Sequence, residues 1–240
     1  MADVQGYPAS VRADEVARFG RLADRWWDPA GPMRPLHAMN PLRVGWIDRR
    51  VRAAHPEGVQ ILDIGCGAGI AAEALAALGH DVMGLDASAE AVAAAKLHAA
   101  GAGLPLQYRA GAAEDLVAEG MRFPVITALE VIEHVADPAR FLALMATLLA
   151  PGGLLFVSTL NRTARSLAVA KIGAEYLLRL LPVGTHDWNR FVTPAELGAH
   201  GRAAGLRLTA TAGMSFDLRA RTWVETRDLA VNYIAVLVRA

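Results

Sequence analysis

The glycines of the stretch LDIGCGAG have the spacing of a ligand-binding loop. They occupy positions 65, 67 and 69, directly after an apolar run that is typical of a buried strand. Because glycine has no side chain, a ligand can approach the backbone closely, and the helix that follows offers free N–H groups. Asp86 ends the next apolar run, where an acidic side chain in such folds accepts the two hydroxyls of a ribose. These residues predict a site for a nucleoside-containing cofactor.

Two cofactor chemistries share this arrangement. A dinucleotide loop has the pattern G-x-G-x-x-G/A, which Gly67, Gly69 and Ala72 match loosely. The loop of S-adenosylmethionine-dependent methyltransferases has the pattern D-x-G-x-G-x-G, which Asp63, Gly65, Gly67 and Gly69 match in full. A dinucleotide loop has no need of an acid just before its glycines, so the sequence favours S-adenosylmethionine. A glycine-rich turn without a ligand is the third alternative.

A second cluster of chemically useful residues lies in LEVIEHV, at the end of the fourth apolar run. If the chain turns helical there, Glu130, Glu133 and His134 converge, and two carboxylates with one imidazole suit Mg²⁺ or Mn²⁺. Such an ion would lower the pKa of a bound phenol and generate the attacking oxyanion. The alternative is that these side chains only orient helix and substrate. Without a metal, His134 is the first candidate for the general base and His186 the second.

The elements that must position these residues alternate between strand and helix. Apolar, β-branched runs predict strands over 59–65, 81–86, 106–111, 124–130 and 153–160. Helical patterns lie between them over 70–79, 88–101 and 137–150. This alternation predicts a mostly parallel sheet with helices on both faces. A helix over 193–205 and two strands over 206–213 and 231–240 follow, and we expect these two strands to pair antiparallel.

Composition excludes several other classes of protein. The 240 residues carry no formal net charge, so nothing predicts electrostatic binding of nucleic acid. The single cysteine, Cys66, excludes an internal disulfide and is interpreted as a small buried loop residue. The uncharged stretch from Phe141 to Leu160 has the length of a membrane span, but a Pro-Gly-Gly sequence interrupts it. We therefore predict a helix, a turn and a buried strand there, and no transmembrane helix.

Several longer blocks of sequence resemble the ubiquinone-biosynthesis O-methyltransferases, which methylate polyprenyl catechol and quinol intermediates. The blocks span most of the chain: FGRLADRWWDPAGPMRPLHAMNPLRVGWI (19–47), ILDIGCGAGIAAEALAALGHDVMGLD (61–86), AAAKLHA (93–99), ALEVIEHVADP (128–138), LAPGGLLFVSTLNRT (149–163), GAEYLLRLLPVGTHDW (173–188) and AVNY (230–233). The first and sixth blocks are the most specific. Ala230 departs from the aspartate that is frequent in the family.

The resemblance implies a fold, a reaction and a set of site residues. The fold is the class I methyltransferase fold, a Rossmann-like α/β sheet of seven mostly parallel strands with an antiparallel last strand and an N-terminal helical cap. The reaction is methyl transfer from S-adenosyl-L-methionine to a phenolic oxygen, on substrates of the 3-demethylubiquinol and 2-polyprenyl-6-hydroxyphenol type. Arg43, Gly65, Asp86 and Leu129 are implied to contact the cofactor, and a guanidinium fork suits its carboxylate. The resemblance also supports the metal interpretation of Glu130, Glu133 and His134.

We interpret the chain as one methyltransferase domain, residues 1–240, with four parts. These are a helical cap (1–55), a cofactor-binding core (56–160), an amphipathic lid or membrane-contact insertion (161–192), and a C-terminal helix with strands (193–240). A methyltransferase of another small hydrophobic acceptor remains an alternative, as does a non-catalytic membrane-associated subunit. The intact Asp63 and metal-site residues count against the subunit.

The apolar face of residues 163–181 is wider than a helix needs for packing on one core. A polyprenyl substrate stays in the bilayer, so we predict that this segment contacts an anionic membrane surface, with Arg165, Lys171 and Arg179 near the headgroups. The alternative is an ordinary lid helix packed on the sheet or on a second copy. The predicted location is cytoplasmic, peripheral to the inner membrane, and other ubiquinone-biosynthesis proteins are among the predicted partners.

Overall fold

One sheet of eight strands forms the centre of the molecule. A computed structural model describes residues 11–169 and 187–239, and the strands and helices below belong to these ranges. The strand order in the sheet is β3-β2-β1-β4-β5-β8-β6-β7. The strands are β1 (Gln60–Ile64), β2 (Asp81–Asp86), β3 (Gln107–Ala110), β4 (Phe123–Leu129), β5 (Leu149–Leu160), β6 (Leu206–Asp217), β7 (Thr222–Thr226) and β8 (Asn232–Arg239).

The first five strands are parallel and the last three antiparallel. β8 pairs antiparallel with β5, β6 with β8, and β7 with β6. This confirms the predicted parallel sheet and the antiparallel pairing of the two closing strands. The predicted number of seven strands is wrong by one, because β7 was not predicted. Its five residues, TWVET, are all exposed or half-buried, so they lack the apolar alternation that marks a strand in sequence.

Helices cover both faces of the sheet. They are α1 (Ala13–Gly20), α2 (Arg34–Ala54), α3 (Ile70–Ala77), α4 (Ala89–Ala102), α5 (Ala113–Ala118), α6 (Pro138–Leu148), the single turn α7 (Ala164–Ser166) and α8 (Pro194–Ala203), with short 3₁₀ turns at Ala23–Arg25 and Trp188–Arg190. Side-chain caps fix several starts. The hydroxyl of Ser88 accepts the N–H of Ala91, and the carboxylate of Asp137 accepts the N–H groups of Ala139 and Arg140.

Two hydrophobic clusters lie on opposite faces of the sheet, because successive strand residues alternate between the faces. Leu62 and Ile126 belong to one cluster, whereas their neighbours Ile61 and Val125 belong to the other, and all four side chains are fully buried. Burial of each such side chain stabilises the fold by roughly 1.5–3 kcal/mol. The clusters hold the sheet rigid, so its carboxyl edge can position the residues that follow the strands.

The N-terminal helices rest on the glycine loop, in agreement with the predicted helical cap. Trp27 Nε1 donates to the carbonyl of Ala68 over 2.8 Å, and Asn40 Nδ2 donates to the carbonyl of Ile70 over 2.9 Å. Trp26 packs with Ala68 and Ile70 in a third apolar cluster. These contacts attach the cap to the loop and to the first turn of α3.

The uncharged stretch 141–160 divides into the predicted helix and strand, α6 and β5. The predicted turn between them is not found, because Pro151, Gly152 and Gly153 belong to β5, where the register against β4 shifts. Within the ranges 11–169 and 187–239, no helix has the length and apolar character that crossing a membrane requires. The insertion 161–192, the membrane-contact segment 163–181 and the alternative base His186 fall largely or wholly outside the described residues. In the described part, Arg165 forms an ion pair with Asp228.

Candidate functional site

A cavity of about 610 Å³ opens at the carboxyl edge of the sheet, beneath α1 and the N-terminal end of α2. The ends of β1, β2 and β4 supply one wall, and the cap supplies the other. In open α/β sheets this edge is where ligands bind. Most of the predicted site residues line the cavity, namely Arg43, Asp63, Gly65, Gly67, Asp86, Leu129, Glu130, Glu133 and His134.

The glycine loop presents bare backbone to this cavity. Gly65 and Gly67 have positive φ angles of 66° and 54°. A Cβ atom on Gly67 would lie 2.3 Å from the ring of Trp26, and one on Gly65 would lie 2.5 Å from Val131. Only glycine fits at either position, so the loop can stay tight against the cap while its backbone lines the cavity.

Gly69 has a different neighbour from the other two glycines. Its φ is 94°, and a Cβ atom there would lie 2.0 Å from the hydroxyl oxygen of Tyr108. It directly precedes the first residue of α3. The structure therefore places the third glycine of the motif where the loop turns into the helix and where a tyrosine ring packs.

Asp86 connects the end of β2 to the glycine loop. One carboxylate oxygen accepts the N–H of Gly67 and the other accepts the N–H of Ser88, each over 2.8 Å. Burial raises the pKa of Asp86, while the two backbone hydrogen bonds favour its ionised form. The side chain lines the cavity and retains further acceptor capacity for a ligand.

Asp63 and Arg43 form a buried pair of charges behind the loop. Asp63 accepts a 2.6 Å hydrogen bond from the Thr127 hydroxyl. Burial raises the pKa of Asp63 to about 6, against the opposing influence of Thr127 and the Arg43 charge. Arg43 is only 3 % exposed, and its Nε has no hydrogen-bond partner among the described residues. A buried guanidinium with an unpaired N–H at a cavity wall is suited to bind an anionic group of a ligand.

The chain changes direction sharply at Glu130, immediately after Leu129 ends β4. The φ of Glu130 is 57°, in the left-handed region that side chains other than glycine rarely adopt. Its N–H donates to the carbonyl of Ser158, and its carboxylate accepts the Ser158 hydroxyl over 2.6 Å. Glu130 Oε1 also lies 3.7 Å from Arg43 Nη1. The side chain is thereby held against β5 and the buried arginine.

Glu133 is buried with one oxygen unpaired. It is 4 % exposed, and its Oε2 has no hydrogen-bond partner among the described residues. Burial, together with the nearby charge of Glu130, raises the pKa of Glu133 to about 7. The cavity wall thus carries a carboxyl group that exchanges its proton near neutral pH.

His134 faces the cap. Its Nδ1 lies 3.2 Å from a carboxylate oxygen of Glu15 in α1, and Phe19 meets the imidazole edge-on at a centroid distance of 5.2 Å. Burial lowers the pKa of His134, but the hydrogen bond that it donates to Glu15 and the charges of Glu133 and Glu15 outweigh burial and leave the pKa raised. Because a carboxylate only accepts hydrogen bonds, Nδ1 carries the proton and Nε2 of the neutral ring is an acceptor.

The predicted convergence of Glu130, Glu133 and His134 on a metal ion is not found. No group of three or more His, Cys, Asp or Glu side chains in the described part of the chain is arranged to hold a metal. The prediction assumed a helix after β4, whereas turns follow the left-handed Glu130 and α6 begins only at Pro138. The side chains therefore point to separate partners, with Glu130 on Arg43 and His134 on Glu15.

Comparison with known proteins assigns the family. A family model described as a methyltransferase domain matches residues 40–211. A ubiquinone biosynthesis O-methyltransferase of Azorhizobium caulinodans is 46 % identical over 95 % of this chain and 94 % of its own length. One from Cereibacter sphaeroides is 47 % identical over 96 % of this chain and 98 % of its own. The chain belongs to the ubiquinone biosynthesis O-methyltransferase family.

The fold of this family member recurs in solved methyltransferase structures. Magnesium protoporphyrin IX methyltransferase from Synechocystis, solved with bound S-adenosylmethionine, superposes with a TM-score of 0.61. The alignment covers 98 % of this chain and 100 % of that one, at 17 % identity. This likeness confirms the predicted class I methyltransferase fold.

The contribution of α1 to the site of this O-methyltransferase family member was not predicted from the sequence. Glu15 and Phe19 of α1 both line the cavity. The sequence pattern indicates only an amphipathic helix for α1. Nothing in the sequence distinguishes Glu15 from a carboxylate on the protein surface. The one indication in the sequence that this region matters is the family-specific block 19–47, which begins at Phe19.

Proposed function

We propose that this chain transfers a methyl group from S-adenosylmethionine to a phenolic oxygen of a polyprenylated catechol or quinol in ubiquinone biosynthesis. The observation that carries the proposal is the single cavity that joins the glycine loop, Asp86 and Arg43 to Glu133 and His134. The names of relatives that are 46–47 % identical over nearly the whole chain support the same reaction and substrate class.

The cofactor half of the cavity fits S-adenosylmethionine. Arg43, with its unpaired buried Nε, would hold the amino-acid carboxylate, and Asp86 would accept the ribose hydroxyls. The backbone of Gly65 and Gly67 admits the ligand closely, while Leu129 provides an apolar wall. Asp63 would lie near the cationic end of the cofactor, where a carboxylate attracts its positive charge. When bound, the cofactor supplies the methyl group.

The acceptor half can activate a phenol. The Glu15–His134 contact leaves Nε2 of His134 as the free acceptor, so this nitrogen can take the phenolic proton. Removal of that proton creates the oxyanion that attacks the methyl carbon in line with the leaving sulfur, and positioning supplies much of the rate. Phe19, Val16 and Leu22 line the same region and suit an aromatic, apolar acceptor.

The requirement for Mg²⁺ or Mn²⁺ stays a prediction from the sequence. Turnover in excess EDTA, with and without added Mg²⁺ or Mn²⁺, tests it. Loss of turnover that either ion restores would confirm the requirement, and would mean that Glu130 and His134 leave their present partners. Full turnover in EDTA would end it and leave His134 as the base.

The same proposal includes the division of the chain into four parts at residues 55, 160 and 192. It also includes a peripheral location at the inner membrane, with a membrane contact through 163–181, and contact with other ubiquinone-biosynthesis proteins. Sedimentation with anionic vesicles tests the membrane segment. The informative comparison is between the intact chain and the chain with Leu177→Glu plus Leu181→Glu.

Calorimetry and turnover separate the proposed function from its alternatives. We expect S-adenosylmethionine to bind and a short-chain catechol to be methylated at oxygen. Turnover restricted to other hydrophobic acceptors would favour a different methyltransferase. Tight cofactor binding without turnover on any acceptor would favour a non-catalytic subunit. Competition by nicotinamide dinucleotides would favour the dinucleotide interpretation of the loop.

A further inference from the structure

The β6–β7 hairpin projects beyond the sheet at the edge where the cavity opens. β5 is parallel to β1 and β4, β8 runs antiparallel to β5, and β6 antiparallel to β8, so β6 ends at the carboxyl edge of the parallel strands. Leu160, the last residue of β5, pairs with Asn232, the first residue of β8. β6 continues to Asp217, roughly 10 Å past that level at about 3.3 Å per residue.

The projecting tip, residues 216–221, exposes large apolar side chains. Leu218 is 83 % exposed and Phe216 is 46 % exposed. Trp223 on β7 is half-buried and meets Phe216 edge-on, with ring centroids 5.9 Å apart. Only three other large apolar side chains of the described residues are exposed. Two of them are away from the hairpin: Leu78 directly follows α3, and Leu97 lies on α4.

Two arginines flank these apolar side chains. Arg219 and Arg221 are exposed, and neither takes part in an ion pair within the described ranges. Asp217 is the only acid between residues 217 and 222, and its Oδ1 is occupied by the N–H groups of Arg219 and Ala220. The tip therefore has a net positive charge beside its apolar surface.

We propose that this tip docks on a membrane surface with anionic headgroups, with Phe216 and Leu218 in the headgroup–acyl boundary and Arg219 and Arg221 at the phosphates. The charge complementarity favours anionic lipid, and aromatic residues are enriched at that depth. A stable protein partner would need about 800 Å² on each side, far more than a six-residue tip offers. This contact is separate from the segment 163–181.

The docking of the tip rests on the proposed function, because it is the membrane-bound substrate that gives the docking a purpose. A polyprenyl tail keeps the acceptor in the bilayer, and the hairpin and the cavity lie at the same edge of the sheet. Docking of the tip would hold the cavity mouth against the surface from which the substrate enters. Vesicle binding is nevertheless measurable without substrate, so the two proposals can fail separately.

Sedimentation with vesicles tests the docking. We expect the parent chain to pellet with vesicles of phosphatidylglycerol and phosphatidylcholine in equal parts, and weakly with phosphatidylcholine alone. Phe216→Ser plus Leu218→Ser should lower the partition coefficient about tenfold. Arg219→Gln plus Arg221→Gln should lower binding to the anionic vesicles alone. Leu97→Ser, which removes an equally exposed leucine from α4, is the matched control and should bind as the parent does.

Thermal unfolding and turnover without vesicles are the controls for folding and for activity. Both hairpin variants should keep the parent's thermal unfolding midpoint and its turnover of a short-chain catechol in vesicle-free buffer. If the serine variant unfolds, the arginine variant alone decides. Hairpin variants that pellet like the parent would overturn the proposal. So would a parent dimer that both variants convert to a monomer, since the tip would then join two copies. If vesicle binding depends on the tip but neither the parent nor any variant shows turnover, the proposed function is refuted and the docking stands.

Discussion

Glu15 of α1 lies 3.2 Å from Nδ1 of His134, which follows β4, and this contact closes the N-terminal cap over the cavity. The hydrogen bond from His134 lowers the pKa of Glu15, so the carboxylate stays ionised at neutral pH. The pair connects two parts of the chain that are 119 positions apart in the sequence. It makes the protonation and the orientation of His134 depend on a helix of the cap.

Removal of the Glu15 carboxylate should slow catalysis more than it weakens cofactor binding. We expect Glu15→Ala to lower kcat about tenfold, because a hydrogen bond to a charged group that orients the base is lost. Glu15→Gln keeps an acceptor and should recover part of the loss. Steady-state kinetics with calorimetry of S-adenosylmethionine binding checks this. Asp14→Ala, in the same helix, is the control. An unchanged kcat in a folded Glu15→Ala variant would remove Glu15 from the site.

The buried Glu133 should make stability fall as the pH rises toward neutrality. Its pKa is about 7 in the folded protein instead of the usual 4.5, because of burial and the charge of Glu130. The folded state therefore holds a proton that the unfolded state releases. This stabilisation is complete below about pH 4.5 and is lost as the pH passes 7.

Urea unfolding of the parent chain and of Glu133→Gln at several pH values tests this difference. The free energy of unfolding of the parent should fall by at least 1 kcal/mol more than that of the variant, since one pKa unit corresponds to about 1.4 kcal/mol. Asp63, whose pKa is about 6, contributes in the same range and is present in both proteins. Parallel pH curves would show that Glu133 titrates normally.

Loss of the Asp86 carboxylate should weaken cofactor binding by more than about 1 kcal/mol. The ribose hydroxyls would lose a charged acceptor, and the N–H of Gly67 would lose its partner. Calorimetry of Asp86→Ala against Asp81→Ala measures the effect, because Asp81 is an exposed acid at the opposite end of the same strand. Equal affinity in both variants would show that Asp86 does not contact the cofactor.

Two glycine substitutions should have opposite consequences. Gly67→Ala places a methyl group against Trp26 at a φ of 54°, so we expect it to displace the cap and abolish cofactor binding. Gly101→Ala, in α4, meets open space and should stabilise the chain by about 0.5–1 kcal/mol. Thermal unfolding and calorimetry distinguish them. Cofactor binding by Gly67→Ala at the parent's affinity would contradict the close packing of loop and cap.

The glycine loop and the parallel strands were predictable because their signals are local. Strand β1 is a short apolar run before three glycines, and Asp86 follows from the same spacing in the next strand. The cap was predictable in outline, since blocks of sequence marked it. β7 was not, because its five residues form neither an apolar run nor an alternation of apolar and polar residues, although Thr, Trp and Val are frequent in strands.

The acceptor side of the site was less predictable because it depends on one backbone angle and one distant contact. The left-handed φ of Glu130 prevents the helical spacing that would have brought Glu130 and His134 together. The partner of His134 comes from α1, and no periodicity in either segment indicates this pairing. Long-range contacts between polar side chains leave little trace in a single sequence.

O-methylation of a polyprenylated catechol with His134 as the base is tested most directly by methyl transfer from isotopically labelled S-adenosylmethionine to a catechol with an isoprenoid tail. The product is analysed by mass spectrometry. We expect one labelled methyl group on a phenolic oxygen, formed by the parent chain and by Asp14→Ala, and formed in strongly reduced amount by His134→Ala. A folded parent chain that binds the cofactor but leaves every phenolic oxygen unlabelled, or labels carbon or nitrogen instead, would contradict it.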